Sequence, residues 1–176
     1  MKKAIRILSV ILLAVLLAAL ALGLYVYYAT QPHEPVALLD GVRFGSAPRR
    51  VIRLLGSPAE VTEHSEWEET DYRFNTELDG VPVSLRCTYH RDRVLKGISA
   101  VAVLDSPESA ERLYERWKDR MTAAYQDEEG FWRGEETHPS ETACRQELGI
   151  ELGAECLSCT LERDGNTVTV VCSRLW

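Results

Sequence analysis

Val81-Pro82-Val83-Ser84-Leu85-Arg86-Cys87-Thr88-Tyr89-His90 alternates two residue sets one for one. Val81, Val83, Leu85, Cys87 and Tyr89 fall on one side of an extended chain, and Pro82, Ser84, Arg86, Thr88 and His90 on the other. That period of two predicts a half-buried strand. Asp79-Gly80 before it is a tight-turn pair. Upstream, Val61–Trp67 and Tyr72-Arg73-Phe74 are strand-like pieces flanking an acidic turn. Downstream, Arg91-Asp92 turns the chain into a further strand, Val94–Val103.

Two helices are expected around these strands. Ser46-Ala47-Pro48 supplies a capping hydroxyl and a first-turn proline, Val51, Ile52, Leu54 and Leu55 an apolar face, and Gly56 and Pro58 a stop. Asp105 and Glu108 around Pro107 predict a reciprocal cap for a longer helix over residues 106–126. Its apolar stripe is Ala110, Leu113, Tyr114, Trp117, Met121 and Ala124. After Gly130, Phe131-Trp132 and Glu136–Leu148 are less regular. Ile150–Arg163 and Thr167–Leu175 form a closing hairpin around Asp164-Gly165-Asn166. No internal repeat is visible. The order predicts an α+β domain, an antiparallel sheet with helices packed on one face.

The chain begins differently. Lys2, Lys3 and Arg6 are the only charges before His33, and Ile7–Ala29 is a 23-residue apolar run ending in Tyr25, Tyr27 and Tyr28. At about 1.5 Å per residue a helix of that length spans roughly 35 Å, which predicts a single transmembrane helix. The basic tip places the N-terminus in the cytoplasm and the rest outside. The rival reading, a cleaved signal peptide, fits less well, because the run is long and lacks a small-x-small cleavage site at its end. The expected organisation is 1–29 tip and anchor, 30–38 linker, and 39–176 extracytoplasmic domain.

The chain has 176 residues, 45% hydrophobic and 27% charged, with a net charge of −7. Removing Lys2, Lys3 and Arg6 from the 20 basic residues leaves 17 against 27 acidic, a net of −10 beyond residue 32. An acidic domain without a basic stripe is no nucleic-acid binder. The bilayer, through residues 7–29, and an unidentified protein are the partners expected.

Leu39-Asp40-Gly41-Val42-Arg43-Phe44-Gly45-Ser46-Ala47-Pro48-Arg49-Arg50-Val51-Ile52-Arg53-Leu54-Leu55-Gly56-Ser57-Pro58 resembles the opening of the SmpA/OmlA lipoproteins of outer-membrane assembly. It is also similar to the start of β-lactamase-inhibitor-protein-like domains. The likeness covers about twenty residues and the order of strands after them. This chain lacks the lipidated cysteine of those lipoproteins. The resemblance implies a small protein-binding module, no catalytic residues and no particular partner.

Five cysteines are present. Cys156-Leu157-Ser158-Cys159 is a C-x-x-C, but on a strand its two sulfurs point to opposite faces, unlike a redox motif that opens a helix. Structural disulfides in an oxidising compartment are favoured. A two-residue turn at Gly165-Asn166 places Cys159 opposite Cys172 in a non-hydrogen-bonded pair, close enough to bridge; a turn at Asp164-Gly165 would instead oppose Cys159 with Val170. Cys144 then pairs most simply with Cys156, although four cysteines allow three connectivities. Cys87 is left reduced.

Other constellations are thin. His64, Glu66 and Glu68 would share one strand face and could hold a cation, and Glu60–Asp71 could instead dock a basic partner. Arg43, Arg49, Arg50 and Arg53 form a basic cluster that either meets anionic headgroups or is an exposed helix face. Trp67, Trp117, Trp132 and Trp176 are expected in core or edge packing. No nucleophile elbow, P-loop or dinucleotide fingerprint occurs, and no cofactor is implied. The function expected is a membrane-anchored extracytoplasmic interaction or scaffold module. The alternatives are a cell-envelope thiol-disulfide redox protein and a small-ligand sensor.

Overall fold

The computed structural model describes residues 13–23, 34–90, 94–128, 130–139, 144–153 and 157–174. The chain forms two compact units, Met1–Pro32 and His33–Trp176. In the first, residues 13–23 form helix α1, with every described side chain exposed.

The second unit holds the remaining elements. Helix α2 is Pro48–Leu55 and helix α3 is Pro107–Tyr125. The strands are β1 (Glu60–His64), β2 (Glu69–Leu78), β3 (Val81–His90), β4 (Leu95–Val103), β5 (Trp132–Pro139), β6 (Cys144–Leu152), β7 (Leu157–Asp164) and β8 (Thr167–Arg174). They make one eight-stranded sheet in the order β1-β2-β3-β4-β8-β7-β6-β5, and every pairing is antiparallel. The same succession, a helix and then a four-stranded meander, occurs twice. The two meanders meet edge to edge at β4 and β8.

The turns follow from local chemistry. Asp79 and Gly80 both take positive φ, 53° and 77°, in the β2–β3 turn, where Leu78 faces Val81. Gly165 takes φ 55° between Asp164 and Thr167, so the β7–β8 turn is Gly165-Asn166. The α2 cap differs from expectation. Ala47 is the N-cap and makes no side-chain bond, because the Ser46 hydroxyl accepts instead from the Arg43 amide at 3.2 Å. At α3 the cap is Ser106, whose hydroxyl accepts from the Ser109 amide, so the reciprocal Asp105–Glu108 cap does not form.

The core lies on one face of the sheet. Phe74, Leu85, Cys87, Ile98, Ala100, Val170, Cys172, Cys159, Leu161, Leu148 and Ile150 point into it. The buried stripe of α3 is Ala110, Leu113, Tyr114, Trp117, Met121 and Tyr125, with Tyr125 standing where Ala124 was expected.

The expected architecture, an α+β domain with helices as its covering layer behind a transmembrane helix, is corrected on both counts. Most of the unit is a wide antiparallel sheet, and α2 buries only Val51. The core is covered as much by an irregular segment, which buries Val36, Ala37, Leu38, Leu39, Val42 and Phe44, as by helices. The first four lie at the junction assigned to a linker and the domain's start. Among the described residues, no helix is long and apolar enough to cross a membrane. The rest of the 7–29 run lies outside the described residues.

Candidate functional site

The face of the sheet turned away from the core carries a continuous register row. Glu60 faces Arg73, Arg73 faces Arg86, and Arg86 faces Ser99. The row continues through Val171, Thr160, Gly149 and Gly134. It therefore changes character halfway: charged on β1–β3, small and uncharged on the next five strands. Strands lie about 4.8 Å apart, so the uncharged stretch is roughly 19 Å long.

Trp132 ends this stretch. It lies two residues from Gly134 on the same face, and its six-membered ring occupies the space a Cβ at Gly134 would need and borders that of Gly149. The two glycines are the seat of the indole, which is 56% exposed. Val103 and Val171 are also exposed, at 73% and 43%. One cavity of about 630 Å³, lined by Asn75, Glu77, Pro82, Ser84, Val101 and Val103, opens on one side of the row. Another of about 340 Å³, lined in part by Arg86, Thr88, Lys96, Ser99 and Val171, opens on the other.

The two wings differ in charge. On β1–β4 the basic residues of this face are paired: Arg73 with Glu60 at 3.0 Å, Lys96 with Glu69 at 2.7 Å, and Arg86 with Asp71 at 3.8 Å. On β5–β7 the open face presents Glu136, Glu147, Glu151, Glu162 and Asp164, and Glu147 faces Glu162 directly. Arg145 bonds Glu162 at 2.8 Å and Glu147 at 3.6 Å, and leaves that wing acidic.

Asp71 has the most polar partners on this face. It accepts from the Thr88 hydroxyl at 2.6 Å and meets His64 Nε2 at 3.2 Å. A nucleophile relay needs the hydroxyl on the imidazole. Here it sits on the carboxylate, so His64 draws no proton from Thr88. β1 ends at His64, and Glu66 and Glu68 fall in the turn that follows, so the expected shared strand face of the three does not form. Among the described residues, no group of three His, Cys, Asp or Glu side chains is placed to hold a metal ion.

The cysteines separate clearly. Cys159 and Cys172 form a disulfide, with their α-carbons 4.0 Å apart, at the register the Gly165-Asn166 turn sets. Cys159 is thus bonded to Cys172 and not to its C-x-x-C neighbour. Cys144 opens β6, but its side chain, like all of Cys156, lies outside the described residues, and their expected pairing with them. Cys87 is free and buried. Burial, with the nearby Asp71 carboxylate second, pushes its thiol up to about 12 and makes it a poor nucleophile.

Of the four basic residues singled out, Arg49, Arg50 and Arg53 line one cavity of about 680 Å³ with Asp40, Val42, Ala47 and Leu54. Arg43 is not on that wall; its backbone bridges Pro35. Of the tryptophans, Trp117 is in the core and Trp132 packs on Gly134 and Gly149 at the sheet edge, whereas Trp67 is exposed in the turn after β1. Trp176 lies outside the described residues. The uncharged row was missed in the sequence because its members lie on five strands, and only the register assembles them.

No protein-family model, curated protein or solved structure matches the chain.

Proposed function

We propose that the chain is a membrane-associated, extracytoplasmic protein-interaction module that uses the open face of its sheet. The observation that carries this is the uncharged row Ser99–Val171–Thr160–Gly149–Gly134, closed by Trp132 and bordered by an acidic wing. An uncharged strip with an exposed aromatic at its end loses little on desolvation, and aromatic anchors favour interface cores. The partner this surface suits is a folded protein with an apolar ridge for the row and basic side chains for the β5–β7 wing. The resemblance of residues 39–58 to SmpA/OmlA-type modules supports the same class. The Cys159–Cys172 disulfide supports an oxidising compartment. The basic tip and the apolar run 7–29 support association with a bilayer and an inward-facing N-terminus.

Site-directed photocrosslinking of the full chain in intact membranes tests this. A probe at Val171 or Thr160 should give one discrete adduct, and a probe at Glu111 on α3 should not. Val171→Arg and Glu162→Lys should each abolish the adduct formed from Thr160. Adducts of equal yield from both faces, or one that survives Val171→Arg, would overturn the proposal.

A further inference from the structure

Arg49, Arg50 and Arg53 stand apart from the other basic residues. Every other described Lys or Arg has at least one interaction partner, whereas among the described residues these three have none. They do so in a domain with ten more acidic than basic residues, where partners are plentiful. Their spacing explains why they stay together. Positions 49 and 53 are four apart and 50 and 53 three apart, so all three share one side of α2. Val51, Ile52 and Leu55 turn to the other side and pack on the core.

The surface they form has three further properties. Leu54, exposed to 52%, lines the same cavity as the three arginines and borders their side of the helix next to Arg50. Asp40 is the one acidic residue among those lining the cavity, against three arginines, and it is also engaged at 2.7 Å by Arg120, which it shares with Asp79. And Pro48 follows the end of the apolar run by fewer than twenty residues. A helix face with three cations beside an exposed leucine matches a bilayer surface: the guanidinium groups meet phosphates while the apolar side chain enters the acyl boundary.

We infer that the outer face of α2 docks on anionic phospholipid headgroups, with Arg49, Arg50 and Arg53 as the phosphate contacts and Leu54 as the apolar insertion. This rests on the reading that the chain associates with a bilayer. It adds an orientation: α2 faces the lipid, which restricts how the sheet can be presented to a partner.

The test uses the full chain in nanodiscs of phosphatidylcholine alone or with one third phosphatidylglycerol, read by hydrogen exchange over residues 47–56. The anionic discs should slow exchange there, high salt should reverse the effect, and Arg49→Gln/Arg50→Gln/Arg53→Gln should abolish it. Each arginine lost should cost about fivefold in the occupancy of the docked state. The three positions are exposed, so the variant should keep the parent melting temperature. Lysine at all three should retain most of the protection, because attraction to a charged surface needs the charge rather than the fork. Equal protection in both discs, or protection unchanged in the glutamine variant, overturns the docking and leaves membrane association standing. Protection by inorganic phosphate in neutral discs shows a soluble-anion pocket and overturns the lipid assignment. A chain that enters neither disc removes membrane association and this inference together.

Discussion

Trp117 Nε1 donates to Asp79 Oδ2 at 3.0 Å, tying the centre of α3 to the turn between β2 and β3. Arg120 bonds the other carboxylate oxygen at 3.0 Å, and Arg116 donates to the Asp79 carbonyl at 3.1 Å. One turn residue at positive φ is thus held by three side chains of the helix that opens the second meander. Trp117→Ala should cost about 3–5 kcal/mol, a large part of the roughly 5–15 kcal/mol such a domain has. Trp117→Phe keeps most of the ring and loses the bond to a charged acceptor, about 1.5–3 kcal/mol. Arg116→Ala, on the exposed side, should cost under about 1 kcal/mol. Urea unfolding ranks the three, and equal shifts for Trp117→Ala and Arg116→Ala would refute the buried stripe.

Two buried tyrosines should respond oppositely to loss of the hydroxyl. Tyr125 OH donates to the Pro35 carbonyl at 2.8 Å and accepts from the Ala37 amide at 3.2 Å, pinning the irregular segment to α3. Tyr89 OH is buried and has no hydrogen-bond partner among the described residues. Tyr125→Phe leaves two backbone groups unpaired and should cost about 1–3 kcal/mol. Tyr89→Phe removes an unsatisfied group and should be neutral or stabilising. Thermal melts of the two variants check this; a Tyr89→Phe loss as large as that of Tyr125→Phe would contradict it.

In the first meander β3 was legible because it buries alternate residues, and the period of two in Val81–His90 is the direct imprint of that burial; β1 buries none of its residues and carries no such imprint. The Cys159–Cys172 pairing was legible because a two-residue turn with Gly165 first fixes every pair outward from it. The repeated helix-and-meander plan was not, since packing constrains the hydrophobic pattern of each strand and not its residue identities. Val36, Ala37 and Leu38 read as the end of a linker because so few residues carry too little periodicity to predict burial. The sheet order was illegible for a further reason: β4 and β8 pair at Val103 and Thr167, 64 residues apart, and no local signal joins them.

The disulfide closes a loop of 13 residues between two buried positions. A closed loop of that size constrains the unfolded chain by about 3 kcal/mol. Cys159→Ala/Cys172→Ala should lower unfolding free energy by about that amount plus the lost packing. Non-reducing peptide mapping should find the Cys159–Cys172 crosslink in protein from an oxidising compartment. Free thiols at both positions, or a bridge from either to Cys87, would overturn the pairing.

Cys87 should leave a mark on alkaline stability. Its thiol is pushed from 9.0 up to about 12, mainly by burial. Between those values the unfolded chain has released this proton and the folded chain still holds it. The unfolded state then binds fewer protons, so stability falls as pH rises. The contribution is whole below pH 9 and lost on the way to about pH 12. Tyr89, Tyr114 and Tyr125, raised from 10.0 mainly by burial, begin to add their own losses as the pH approaches 10. The difference between the parent and Cys87→Ala over pH 9 to 10 therefore isolates the cysteine. Urea unfolding at both values should show a fall in the parent, at most about 1.4 kcal/mol for this one group. Cys87→Ala should show a shallower fall, whatever its loss of packing costs at every pH. The native thiol should also resist alkylation at pH 8 and react once the chain is unfolded. Parallel pH dependences for parent and variant, or rapid alkylation of Cys87 in the folded protein, would show that the thiol is not held protonated by burial.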